Sequence, residues 1–172
     1  MNNNRKLTKN IALCGVLAAL ALGMMFIGEF TALDLSLLLL CSLITVLTVI
    51  ETGNKMAWIY AAVTSVLALV ILPNKLYAIE YIMFSAVYPI LKGYAERLPA
   101  WPAFIIKIGA LDLMLLCCVV LGQFVFMVGD EFFSLSVITM AVGTAFFILY
   151  DYTLTKCISY YIIKLRKRLK IK

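Results

Sequence analysis

Ile11-Ala-Leu-Cys-Gly-Val-Leu-Ala-Ala-Leu-Ala-Leu-Gly-Met-Met-Phe-Ile-Gly-Glu29 is the stretch that decides the fold, because its one ionisable residue is the last. About 20 consecutive apolar residues cross the hydrocarbon core of a bilayer as a helix, so the run reads as a transmembrane span. Comparable runs follow at 34–52, 56–73, 77–94, 104–128 and 133–160. They are separated by Thr52-Gly-Asn-Lys55, Pro73-Asn-Lys75, Pro99-Ala-Trp-Pro102 and Gly129-Asp-Glu131, residue types that end helices or make turns. The head Met1-Asn-Asn-Asn-Arg5-Lys6 resembles the charged start of a signal peptide. No small-residue cleavage site follows it, so the first run is expected to remain as a helix.

Composition agrees. Of 172 residues, 65% are hydrophobic and 14% charged, against about 45–50% and about 25% for a soluble domain. The expected fold is therefore all-α: one integral membrane domain, 1–172, made of six transmembrane helices.

The fourth run is the weakest, since Glu80, Pro89 and Lys92 lower its hydropathy and leave an interfacial or re-entrant segment open. Charge bias bears on this. Cytoplasmic flanks are enriched in Lys and Arg. The N-terminal flank carries Arg5, Lys6 and Lys9, and the C-terminal tail 164–172 carries Lys164, Arg166, Lys167, Arg168, Lys170 and Lys172. Both termini are expected in the cytoplasm, which requires an even number of crossings. Six crossings also place Lys55, Lys92, Arg97 and Lys107 on the inner side. Glu29, Asp34, Asp130 and Glu131 then lie outside, with Lys75 the one exception. The basic tail is expected to anchor topology and rest on anionic lipid, and nothing else in the chain suggests nucleic acid.

Catalytic and metal chemistry find little footing. There is no histidine, and the five cysteines, Cys14, Cys41, Cys117, Cys118 and Cys157, lie inside apolar runs without a CxxC pair. They read as small buried hydrophobes rather than disulfides or metal ligands, and neither a metal nor a cofactor is expected. No nucleotide-binding loop or serine–lysine dyad is present. Tyr150-Asp151 matches one element of the intramembrane aspartyl proteases. The other element, Gly109-Ala-Leu-Asp112, lacks the second glycine and comes in the wrong order.

Three sets of residues stand out. Gly15, Ala19 and Gly23 recur every four residues, a small-residue stripe that lets helices approach closely in lipid, either inside the bundle or against another subunit. Lys107, Asp112 and Asp151 fall at similar depth near the inner side. Charges in a span are costly and face an interior or cavity, so Lys107 is expected to pair with Asp112 or Asp151, as a structural pair or as a relay. Tyr77, Glu80, Tyr81, Phe84 and Tyr88 share one face at helical spacing, with Asp34 near their outer end. They form either the wall of a small-molecule pocket, which is mostly apolar with a few fixed polar groups, or an aromatic belt. Gln123, Ser136 and Thr139 are further hydrogen-bonding candidates.

The basic start, the run Leu13-Cys-Gly-Val-Leu-Ala-Ala-Leu-Ala-Leu-Gly23, the opening Asp34-Leu-Ser-Leu and the inner turn Glu51-Thr-Gly-Asn-Lys55 together resemble the substrate-binding S components of energy-coupling factor transporters. Tyr88-Pro-Ile-Leu-Lys92 with Tyr94-Ala-Glu-Arg97 is also similar to small membrane proteins of anaerobic Firmicutes. The S-component resemblance implies a non-enzymatic membrane protein that captures a vitamin-like small molecule from outside. It would dock through its first helix on a transmembrane coupling subunit powered by two ATPases. Gly15, Ala19 and Gly23 match the position of the family's alanine-spaced docking motif, with glycine at two of the three places. Asp34, Tyr77, Glu80, Tyr81, Tyr88 and Gln123 are the candidate substrate contacts. The alternative is a membrane scaffold similar to the rod-shape-determining proteins of cell-wall elongation. The two differ in their interiors, since a capture subunit needs a cavity near Asp34, Glu80 and Tyr88 and a scaffold is packed solid there.

Overall fold

The computed structural model describes residues 3–31, 33–124 and 137–165. Among these residues the chain is entirely helical and forms six rods. They are α1 (Asn3–Glu29), α2 (Asp34–Thr52), α3 (Asn54–Ile71), α4 (75–95), α5 (Ala100–Phe124) and α6 (137–165). Four stretches, Arg5–Glu29, Asp34–Thr52, Asn54–Ile71 and Trp101–Cys118, are long and apolar enough to cross a membrane. Large apolar side chains cover the outside, Leu35 at 74% and Val70 at 72% exposure among them. Such a surface suits lipid and not water.

The helix ends follow local chemistry. A single residue, Gly53, joins α2 to α3 at φ +86, a left-handed conformation that costs a side-chain-bearing residue roughly 1–2 kcal/mol. At the other end of the bundle, the Asn74 side chain accepts from Leu76 N at 3.0 Å and Tyr77 N at 3.3 Å, capping α4. Lys75 Nζ donates to the Leu69 and Leu72 carbonyls at 2.8 and 2.6 Å, groups that the end of α3 leaves without partners. Glu29 Oε1 accepts from Asn74 N at 2.6 Å and fastens α1 to the same junction. Pro102, expected to break the chain with Pro99, instead sits inside the first turn of α5. Its missing N–H has no partner to lose there.

α1 packs against α2 and α3 only, while α4 packs against α2, α3 and α5, and α6 closes on α5 and α2. The core of the first four helices is built on Ala57, Ala61, Ala68, Ala78 and Ala86 with larger residues such as Met25 and Leu72. Small residues let helices approach where van der Waals packing is the main attraction. Buried Thr45, Thr48 and Thr64 satisfy their hydroxyls within their own helices, on Cys41 O, Ile44 O and Tyr60 O at 3.3, 3.0 and 2.9 Å. Lipid offers no alternative partner.

α4 is not re-entrant. It runs unbroken as an α-helix over Lys75–Glu80, a π-helix over Tyr81–Val87 and an α-helix over Tyr88–Ala95, about 30 Å at about 1.5 Å per residue. Pro89 explains what the wide turn requires. In a π-helix the Phe84 carbonyl would accept from residue 89, which has no N–H. The Tyr150 hydroxyl of α6 takes that place, donating to Phe84 O at 2.7 Å.

Candidate functional site: a membrane cavity above an ion cluster

The wide π turn rotates everything that follows it, so the aromatic residues of α4 do not share the one face that uniform α-helical spacing predicts. Tyr77 and Tyr81 turn into the core of the first helices and are buried. Tyr77 sets its hydroxyl 3.5 Å from the Asp34 carbonyl. Glu80 and Phe84 face a cavity, and Tyr88 lies further along among charged groups. Two stripes replace the single expected one, and only the second reaches the cavity.

The cavity has a volume of about 400 Å³, within the roughly 300–1,000 Å³ typical of small-molecule sites. α2 contributes Leu35, Ser36, Leu38 and Leu39 to its lining, α4 Glu80 and Phe84, and α5 Leu115. α6 contributes Phe146, Phe147, Leu149, Tyr150 and Thr153. The Phe84 and Phe147 rings meet at 4.9 Å between centroids with a 33° tilt. The bond from Tyr150 to the Phe84 carbonyl fixes the adjoining wall. Asp34 is exposed on the first turn of α2, where a carboxylate favours the helix N-terminus. Its neighbour Leu35, and not Asp34 itself, lines the cavity. The side chains of Gln123 and Thr139, and Ser136 altogether, lie outside the described residues.

Towards the Gly53 end sits an ion cluster whose centre is Lys92, 1% exposed. Its ammonium donates to Asp151 Oδ1, to Thr155 Oγ1 at 2.7 Å and to Glu96 Oε1 at 3.1 Å. Lys107 Nζ lies 3.3 Å from Asp151 Oδ2 and 3.6 Å from Glu96 Oε1. The Tyr88 hydroxyl donates to Asp151 Oδ1 at 2.7 Å. Two cations therefore face two anions, and both oxygens of Asp151 are engaged. Charges removed from water hold their place when paired and hydrogen-bonded in this way. Asp112 stands apart from the ion pairs and accepts from Thr144 Oγ1 at 3.0 Å. A space of about 30 Å³, lined in part by Lys107, Asp112, Thr144 and Asp151, separates the two aspartates and has room for one water.

Of the three charges singled out in the sequence, Lys107 and Asp151 meet and Asp112 has a different partner. Sequence reasoning missed Lys92 and Glu96. Lys92 was read as a topological flank, although Tyr88, Lys92 and Glu96 recur every four residues and so share a helix face. That spacing, with Lys92 inside an apolar run, was the available signal.

Gly15, Ala19 and Gly23 are exposed on α1, and a Cβ added at Gly15 or Gly23 would meet nothing within 4 Å. The stripe faces away from the bundle, so close packing within the chain does not account for it. Among the described residues no three His, Cys, Asp or Glu side chains come together as a metal site. Compared with known protein families, curated proteins and solved structures, the chain matches none of them.

Proposed function

We propose that this protein is a membrane-embedded substrate-capture subunit that takes up a small vitamin-like molecule and works with a separate coupling subunit and a pair of ATPases. The observation that carries the reading is the cavity at Glu80, about 400 Å³ between four helices. A scaffold of the cell-wall machinery has no use for such a space. The outward-facing stripe Gly15, Ala19 and Gly23 supports it further, because a second membrane helix can approach closely there. No catalytic role is assigned to Asp112 or Asp151, whose carboxylates are occupied by Thr144 and by Tyr88 with two lysines.

In this reading all six helices cross the plasma membrane and both termini are cytoplasmic. Arg5, Lys6, Lys9, Lys55, Arg97 and Lys164 then gather at the inner end, in line with the positive-inside bias. Lys75, alone at the outer end, serves there as the cap on α3. The mouth of the cavity at Leu35 and Ser36 belongs to the outer half, where capture takes place. The tail beyond Lys164 rests on anionic lipid.

The test is co-purification from the native membrane in mild detergent. The tagged protein should bring a transmembrane coupling subunit and two ATPases, and Gly15→Leu with Ala19→Leu should release them. Recovery of cell-wall synthesis proteins alone, or full retention of partners by the double variant, would refute the proposal.

A further inference from the structure

Resting on the capture reading, we infer that the ligand of the Glu80 cavity is an organic cation with a flat, apolar or aromatic body. Glu80 is the one ionisable side chain in the lining, and it has no ion pair or hydrogen bond among the described residues. Lys92 and Lys107 are committed to Asp151 and Glu96, and Lys75 to backbone carbonyls. A carboxylate held among apolar side chains without a counter-charge is costly, and a cation in the cavity relieves that cost. Phe84 and Phe147, 4.9 Å apart, and the Tyr150 ring supply aromatic surface beside it. Ring faces attract ammonium groups and stack on flat ones. Ser36 and Thr153 add hydroxyl oxygens.

The same lining argues against other occupants. A carboxylate or phosphate ligand would meet Glu80 and no cation. A metal ion such as magnesium or calcium requires about six oxygen ligands, and one carboxylate with two hydroxyls in an apolar wall falls short. Phenylalanine and leucine side chains around a single charge fit a molecule that is mostly apolar and carries one positive centre.

Three probes with the same ring separate the possibilities: naphthylmethylammonium, naphthylmethanol and naphthoate, titrated calorimetrically against the full-length protein in lipid nanodiscs, with empty nanodiscs subtracted. The ammonium compound should bind about tenfold more tightly than the alcohol, and naphthoate most weakly. Glu80→Gln should remove the advantage of the ammonium compound while alcohol binding persists, which also shows that the variant is folded. Glu80→Asp, which keeps the charge, should retain the preference. Equal binding of all three probes, or an undiminished preference in Glu80→Gln, would overturn the cation inference and leave the capture reading standing. Binding of none would overturn both.

Discussion

The two halves of the bundle are held together by different physics. The first four helices meet through alanine-rich surfaces, with buried threonines satisfied inside their own helices. α6 is joined to the rest by directed polar contacts: Asp151 with Lys92, Lys107 and Tyr88, Thr155 with Lys92, Tyr150 with the Phe84 carbonyl, and Tyr161 with Glu51 at 3.0 Å. Apolar packing in lipid has many near-equivalent arrangements, because lipid tails are as apolar as leucine. Charge pairs have few. The half packed by shape leaves no opening of comparable size between its helices, whereas the half joined by polar contacts leaves one, and Glu80 faces into it.

The largest effect should come from breaking the ion cluster. Lys92→Met strips Asp151 of its most buried partner and is expected to cost about 3 kcal/mol, with Lys107 remaining to limit the loss. The buried thiols Cys41 and Cys118 offer a readout, since a thiol-reactive fluorophore reports their exposure as the protein melts in detergent. Adding Asp151→Leu to Lys92→Met should recover part of the loss, because no unpaired carboxylate is left behind. A double variant worse than the sum of its parts would show that the cluster is not what joins α6.

Crowding in the shape-packed half should rank next. A Cβ on Gly28 would lie 2.5 Å from the Tyr77 hydroxyl and 3.1 Å from Leu37 Cδ1, so Gly28→Ala is expected to cost roughly 1–3 kcal/mol. Tyr77→Phe in that background should lower the melting temperature less than Tyr77→Phe alone, by removing the nearest atom.

Tyr150→Phe should cost about 1 kcal/mol, the scale of one hydrogen bond between membrane helices. In a Pro89→Ala background the restored N–H can serve the Phe84 carbonyl, and the penalty should shrink. An unchanged penalty would separate the proline from the π turn. The smallest effect belongs to α1. Gly15→Leu and Gly23→Leu meet open space and should shift stability by less than about 0.5 kcal/mol, while the same changes abolish partner recovery.

The helices were largely legible in the sequence, since hydropathy and turn residues place α2 at Asp34–Thr52 and the other rods within a few residues of their expected limits. Facing was not. Tyr77, Glu80, Tyr81, Phe84 and Tyr88 share a stripe only if every turn is α-helical, and the π turn at Tyr81–Val87 divides them. Pro89 marks where a carbonyl loses its donor. The compensating hydroxyl comes from Tyr150, sixty-six residues from the carbonyl it serves, and local pattern does not reach that far. Lys92 escaped notice for a related reason. Its three acceptors on Glu96, Asp151 and Thr155 lie partly on another helix, so the sequence displayed a costly charge without the partners that balance it.

The most direct test of the central claim is native mass spectrometry of the protein extracted from its own membrane, compared with Leu39→Trp, a change that fills the cavity. The capture account predicts one small organic molecule bound per wild-type chain and none in Leu39→Trp, with both proteins folded. Phospholipid as the sole bound species, at equal occupancy in the two proteins, would contradict it.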